Sequence, residues 1–283
     1  MQEWISRQIN EFIQTSPHNS LGDQIPEKAW NQVLTGFSSG TDPLYQVIKQ
    51  DIGDFYWTPY QALKLAFPEV DIKKEKISVI SWILAQSDKT KEDQRKETKY
   101  PAKRWTMARN FGETFNERLR AHIVDFLSEK GIKAVAPHIS PDFSRQESKK
   151  YGYASNWSER HTAFISGLGT FGLSDGLITP LGKAIRCGSV VAEVEIEPTL
   201  RPYEHHNAYC LFHDMGKCRK CADRCPAGAI SESGHDKVRC KKYLRTVVAE
   251  YATAAYGKFS YHGCGLCQVK VPCESRIPVK KFG

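Results

Sequence analysis

Hydrophobic and polar positions follow two rhythms along this chain. Near the start, Trp4, Ile5, Ile9, Phe12 and Ile13 recur at helical steps, which predicts a short amphipathic helix over residues 1–16. Its polar face is not rich in Lys or Arg, so the apolar stripe is expected to pack on the protein body rather than on a membrane. Pro17, Pro26, Pro43, Pro59 and Pro68 break residues 17–75 into short pieces. Residues 77–84 are a β-branched run with polar flanks and predict a buried strand. The charged stretch 86–100 predicts a solvated loop. Over 101–130, Trp105, Ala108, Phe111, Phe115, Leu119, Ile123 and Phe126 recur every three or four residues, the pattern of a long helix. Pro101 suits its first turn and Gly131 its stop. Residues 133–138 and 188–196 predict further strands, and 161–168 a helix with Ser158 as N-cap. Strand, long helix, strand is the order of an α/β layered body.

The chemistry is concentrated after residue 200. Cys218-Arg-Lys-Cys221-Ala-Asp-Arg-Cys225-Pro226 has the spacing C-x2-C-x3-C-P. Bacterial ferredoxins use C-x2-C-x2-C-x3-C-P, in which the fourth cysteine ligates the other cluster. Met215 stands where the first cysteine would be, and a thioether supplies no anionic sulfur. Cys264-Gly-Leu-Cys267 is a second C-x2-C, followed by Cys273, and Cys210 and Cys240 complete eight cysteines between 210 and 273. Eight thiolates are the number that two 4Fe–4S clusters need. Ferredoxin wiring puts Cys218 and Cys221 on one cluster, completed from Cys210 and Cys273. Cys225 then joins Cys240, Cys264 and Cys267 on the other. Two zinc sites of four thiolates each would use the same residues, and disulfides would require an exported chain. The Cys-Pro signature favours clusters. Cys187 stands apart and is expected to be a small buried hydrophobe.

Composition and charge narrow the class. The chain has 283 residues, enough for one large domain or two smaller ones. No run approaches the ~18 apolar residues of a membrane span, and the N-terminus has no export signal. A soluble, cytoplasmic protein is expected. The net charge of +8 is carried after residue 200, where 15 Lys and Arg face 7 Asp and Glu. Such a basic end can bind nucleic acid, but it also offsets the negative charge of buried clusters. The Gly167-Leu-Gly169-Thr170-Phe-Gly172 segment matches G-x-G-x-x-G. A helix-like segment precedes it where a dinucleotide site needs a strand. A loop that lets backbone approach a large cofactor is the better expectation.

Taken together, Ser158-Glu-Arg-His-Thr-Ala163, the Gly167–Gly176 loop, Leu177-Ile-Thr-Pro180, Gly188-Ser-Val-Val191 and the cysteine array resemble the family of epoxyqueuosine reductase and the reductive dehalogenases. The resemblance covers most of 76–273. It implies a nitroreductase-like α/β core over 76–200 and a ferredoxin-like two-cluster iron–sulfur module over 201–283; residues 1–75 are expected as a helical and irregular region packed on that core. It also implies cobalamin, bound base-off without a histidine ligand, against Gly167, Gly169, Thr170, Gly172 and Ser189. The D-x-H-x-x-G pattern of other cobalamin proteins is absent. Six residues before the Glu-Arg pair, where epoxyqueuosine reductases carry an acid, this chain has Tyr153. Reductive dehalogenases use a tyrosine as proton donor, so Tyr153 is the catalytic candidate. The implied activity is reductive cleavage of a carbon–halogen or carbon–oxygen bond in a small-molecule substrate, with a ferredoxin or flavodoxin as electron donor. Two alternatives remain open: an electron-transfer protein that reduces a corrinoid or redox partner, and an epoxyqueuosine reductase acting on tRNA.

Overall fold

The computed structural model describes residues 1–282. The first half runs α1 (Gln2–Thr15), β1 (Trp30–Ser39), α2 (Leu44–Ile52), α3 (Pro59–Ala66), β2 (Ile77–Gln86), α4 (Asp88–Lys96) and α5 (Lys103–Ser128). Then come β3 (Ala134–Val135), the hairpin β4 (Arg145–Ser148) and β5 (Gly152–Ser155), α6 (Glu159–Ile165), the hairpin β6 (Thr170–Phe171) and β7 (Leu177–Ile178), and β8 (Ile185–Glu193). The cysteine-rich end holds α7 (Leu211–Met215), α8 (Lys220–Asp223), the short pair β9 (Ile230–Ser231) and β10 (Gly234–His235), α9 (Lys237–Tyr243) and α10 (Ala249–Tyr256). The fold is mixed α/β.

One antiparallel sheet, ordered β1-β2-β8-β3, positions everything else. All ten residues of β2 are buried, which is why its sequence is a continuous apolar run instead of an alternation. Its two faces serve two cores. Ile80, Trp82 and Leu84 pack with α1 and α5 through Ile5, Ile9, Phe115, Leu119 and Ile123. Val79 and Ile83 pack on the opposite side with α2, α3 and α6 through Ile48, Leu63, Ala163 and Ile165. This second core continues into Cys210, Cys221, Ile230 and Val271, so the cysteine-rich end is welded to the sheet by apolar burial.

The long-helix and central-strand expectations match α5 and β2, and α1 buries Ile5, Ile9 and Ile13 as its stripe requires. Three elements differ. The expected loop over 86–100 contains α4. Ser87 caps it by accepting from the Thr90 amide, its hydroxyl also meeting that of Thr90, and the buried Lys91 and Gln94 are polar because they meet partners at the far end of the chain. Gln94 Nε2 donates to the Cys264 carbonyl at 2.9 Å, and Arg95 pairs with Glu274. The ten-residue β1 falls in the stretch expected to be short pieces. It pairs with β2 from Trp30↔Gln86 to Ser39↔Ser78, so residues 1–75 contribute a strand to the same sheet as 76–200. Its polar residues and Gly36 hide its character. A Cβ at Gly36 would lie 2.4 Å from the Ser166 carbonyl oxygen, so the glycine admits the turn after α6. Finally, Ser158 precedes α6 but does not cap it, because its hydroxyl pairs with His161 Nδ1 at 2.8 Å. Among the described residues, no helix is long and apolar enough to cross a membrane.

Candidate functional site

Four of the eight late cysteines line one cavity, and the other four are the second set of the ferredoxin wiring. Cys210 sits at the N-terminus of α7, Cys221 lies within α8, and both are 8% exposed. With Cys218 and Cys273 they line one small cavity, walled by Leu173, Ile178, Leu211 and Val271 and entered by Lys183. Met215 turns outward at 51% exposure, so the position of the missing ferredoxin cysteine faces solvent while Cys210 faces the cavity. Burial pushes the Cys221 thiol up to about 11, and the neighbouring Cys267, Cys273 and Cys210 add to it against Lys183.

The second set is Cys225, Cys240, Cys264 and Cys267. Burial pushes Cys264 up to about 12 and Cys240 up to about 11, and each is raised further by Cys225 and Cys267. Burial also raises Cys267, with Cys225 adding to it and Lys183 opposing it. These mutual shifts mark thiols close enough to repel as thiolates. Bound iron reverses the preference, because its positive charge selects the thiolate form. All nine cysteines of the chain are free thiols. Among the described residues, no three His, Cys, Asp or Glu side chains converge tightly enough for a single metal ion. A cluster of four irons takes one thiolate on each iron, so a group of four thiols suits it. The donor sets fit clusters.

The five residues expected to receive a corrinoid do not form an open cradle. A Cβ at Gly169 would lie 2.3 Å from the Ile178 carbonyl oxygen, and one at Gly167 would lie 2.7 Å from the Leu200 carbonyl oxygen, at φ +79°. At Gly172 the neighbour is Ile178 Cδ1 at 3.1 Å. The close approach these glycines allow is to the chain's own β6–β7 hairpin and the 199–200 segment. Thr170 is fully buried and its hydroxyl accepts from the Tyr209 amide at 2.8 Å. Ser189, also fully buried, is taken up by Glu159 and by Trp157 Nε1 at 3.0 Å.

Tyr153 lies on β5 at 39% exposure, with the Lys241 ammonium over its ring. That contact brings α9, from the cysteine-rich end, against the β4–β5 hairpin. Cys187 is buried on β8, and burial pushes its thiol up to about 12, as expected of an inert packed residue.

Sequence reasoning missed a buried ionic network that joins α5, α6 and β8. Arg120, 1% exposed, donates to Glu159 at 3.0 Å, to Glu113 at 3.2 Å and to the Cys187 carbonyl at 3.2 Å. Glu113 also faces Arg186 at 3.0 Å and Arg109 at 3.4 Å. Burial pushes Glu113 up, but the three guanidiniums outweigh it and hold it down to about 2. Glu159 has fewer partners, and burial pushes it up to about 7 against Arg120 and Ser189. Arg109 stacks over Tyr261, and near it the buried Arg186 Nε and His262 Nδ1 have no aligned hydrogen-bond partner. A signal for this network exists in the sequence. Glu113, Asn116 and Arg120 form a polar stripe at steps of three and four inside an otherwise apolar helix face.

No protein-family model matches the chain. Over 120 residues it is 29% identical to an epoxyqueuosine reductase of Bacillus anthracis, a match covering 41% of this chain and 29% of that protein. The match thus spans less than a third of the curated relative's length. Among solved structures, an epoxyqueuosine reductase with an epoxyqueuosine-modified tRNA-Tyr stem loop aligns with 96% of this chain and 66% of its own, at TM-score 0.53 and 19% identity. A reductive dehalogenase, described as suggesting a mechanism for B12-dependent dehalogenation, aligns with 87% of this chain and 30% of its own, at TM-score 0.52 and 15% identity. At these identities the structural likeness is one of fold. The curated and structural neighbours are reductases, as the motifs imply.

Proposed function

We propose that this chain is an iron–sulfur reductase that takes electrons from a small redox protein such as a ferredoxin or flavodoxin and spends them on cleaving a carbon–halogen or carbon–oxygen bond. The observation that supports it most directly is the gathering of eight thiols into two sets of four. Cys210, Cys218, Cys221 and Cys273 would hold one 4Fe–4S cluster, and Cys225, Cys240, Cys264 and Cys267 the other. Such clusters, when bound, supply electrons singly at potentials that reach about −700 mV. In this reading residues 76–200 are a nitroreductase-like core and 201–283 a ferredoxin-like module. The excess of positive charge after residue 200 would speed docking of an acidic electron donor.

Cobalamin enters the reading from the B12-dependent neighbour of the same fold. The glycine-loop residues do not fit it, so the roles assigned to this chain's side chains stop at electron delivery and proton supply. Tyr153, exposed on β5 beside Lys241, would give the proton. The buried network of Arg120, Glu113 and Glu159 would fix α5 against β8 and keep the floor of the site rigid. A second reading, epoxyqueuosine reduction in tRNA, is favoured by the sequence match to an epoxyqueuosine reductase and by the tRNA-bound neighbour.

Anaerobic reconstitution tests the proposal. About eight iron and eight sulfide per chain are expected. Zinc alone, or no metal, would refute it. With clusters in place, a shift in the spectrum of added cobalamin supports corrinoid binding, and its absence points to an electron-transfer protein. Salt-sensitive retardation of tRNA in a gel separates the epoxyqueuosine reading from a small-molecule one.

A further inference from the structure

Lys183 is 2% exposed, and its Nζ has no hydrogen-bond partner among the described residues. A buried ammonium without an anion is costly, so such a group implies a negative partner. The backbone fixes its place. Gly182, at φ +81°, sits so close to the C-terminal segment that a Cβ would lie 2.1 Å from the Glu274 carbonyl oxygen. The Lys183 and Ala184 amides both donate to that same oxygen, at 3.1 and 3.3 Å. The stem of the side chain then runs over Gly176, where a Cβ would come within 2.8 Å of Lys183 Cε. It thereby enters the cavity of Cys210, Cys218, Cys221 and Cys273. Cys267, from the second set, is also near enough for its charge to act on the ammonium.

We propose that Lys183 is the buried counter-charge of the 210/218/221/273 set, tuning its cluster so that it accepts an electron more readily than it would without the ammonium. This rests on the iron–sulfur reading above. A cation beside a cluster stabilises the extra negative charge that reduction adds, so it raises the reduction potential. Lys183 lines the cavity of the first set, so that set should feel it most. Electrons arriving at the second set would then run downhill to the first.

The test is a potentiometric titration followed by electron paramagnetic resonance on the anaerobically reconstituted full chain. Wild type, Lys183→Met and Lys183→Arg are compared, with iron counted in each. Lys183→Met, similar in length but uncharged, should keep its iron and lower one midpoint by at least a tenfold change in the reduction equilibrium, 59 mV for one electron. The other midpoint should move less, and Lys183→Arg should restore most of the shift. Unchanged midpoints with iron retained would overturn the proposal while leaving the iron–sulfur reading intact. Failure of the wild type to bind iron would instead overturn that reading. If Lys183→Met loses iron, recovery of iron in Lys183→Arg supports the charge. Loss in both variants assigns Lys183 to packing and overturns the proposal.

Discussion

Replacing Arg120 by Met would remove the cation shared by two buried carboxylates. Glu113 keeps Arg186 and Arg109, but Glu159 keeps only the Ser189 hydroxyl, and the Cys187 carbonyl loses one of its two donors. Removing one partner of a buried ion pair costs about 3–5 kcal/mol. With an unfolding entropy of about 2.1 cal/mol/K per residue, a 283-residue chain loses about 5–8 °C in Tm for that amount. The loss should depend on pH. Glu159 already lies at about 7 with Arg120 beside it, and without the guanidinium it moves higher. Below pH 7 it sheds the penalty by holding a proton, whereas at pH 9 it is an unpaired buried charge. Thermal unfolding of Arg120→Met, followed by circular dichroism, should therefore fall near the low end of the range at pH 6 and near the high end at pH 9. The triple variant Glu113→Gln/Arg120→Met/Glu159→Gln should recover much of the loss, because no charge is left alone. A drop under about 2 °C at pH 9, or equal drops at both pH values, would show that water reaches these carboxylates and that the network is not dry.

Two further outcomes follow from the same geometry. Glu159 is raised in the folded state from its ordinary 4.5 to about 7, so the stability it contributes is complete below pH 4.5 and is lost as pH rises through 7. That loss amounts to about 3 kcal/mol. His138 and His161, pushed down by burial to about 4 and about 3, act in the opposite sense, their contribution being lost as pH falls below 6.5. Comparing wild type with Glu159→Gln isolates the carboxyl: the variant should gain on the wild type by that amount between pH 4.5 and 8, and parallel stability curves would contradict the assignment. Gly182→Ala imposes a left-handed backbone on a residue with a side chain, about 1–3 kcal/mol of strain, and drives its Cβ into the Glu274 carbonyl. It should lower Tm and release iron from the first set before the second, and an unchanged Tm would refute the tight fit at 182.

What the sequence made legible was whatever a single element decides. The period of α5, the apolar run of β2 and the grouping of the cysteines each depend on neighbours in sequence. Ferredoxin wiring proposes Cys225 with three later residues as one set, and the thioether at Met215 proposes Cys210 for the other. The illegible parts depend on distant partners. α4 is a helix whose inward face is polar because it meets Cys264 and Glu274. β1 is masked because Asn31 and Gln32 face solvent and Gly36 must admit the Ser166 carbonyl. The glycine loop suggested a cofactor, yet its close approaches are to Ile178 and Leu200 of the chain itself. Lys183 carries no local signal at all, since nothing near it in sequence says that its ammonium will be sealed among thiols.

The first thiol set closes only when Cys273 meets Cys210, Cys218 and Cys221. During synthesis, a ribosome delivers residues 210, 218 and 221 long before 273. The growing chain therefore presents three of the four donors, beside a lysine that repels cations, for the whole time between. Glu274 is what brings Cys273 home, through Arg95 on α4 and the amides at 183 and 184. Those contacts require the sheet and α4 to be in place. On the iron–sulfur proposal, loading would therefore be ordered in time: the core folds, the tail docks on it, and only then would the first set offer four donors to iron.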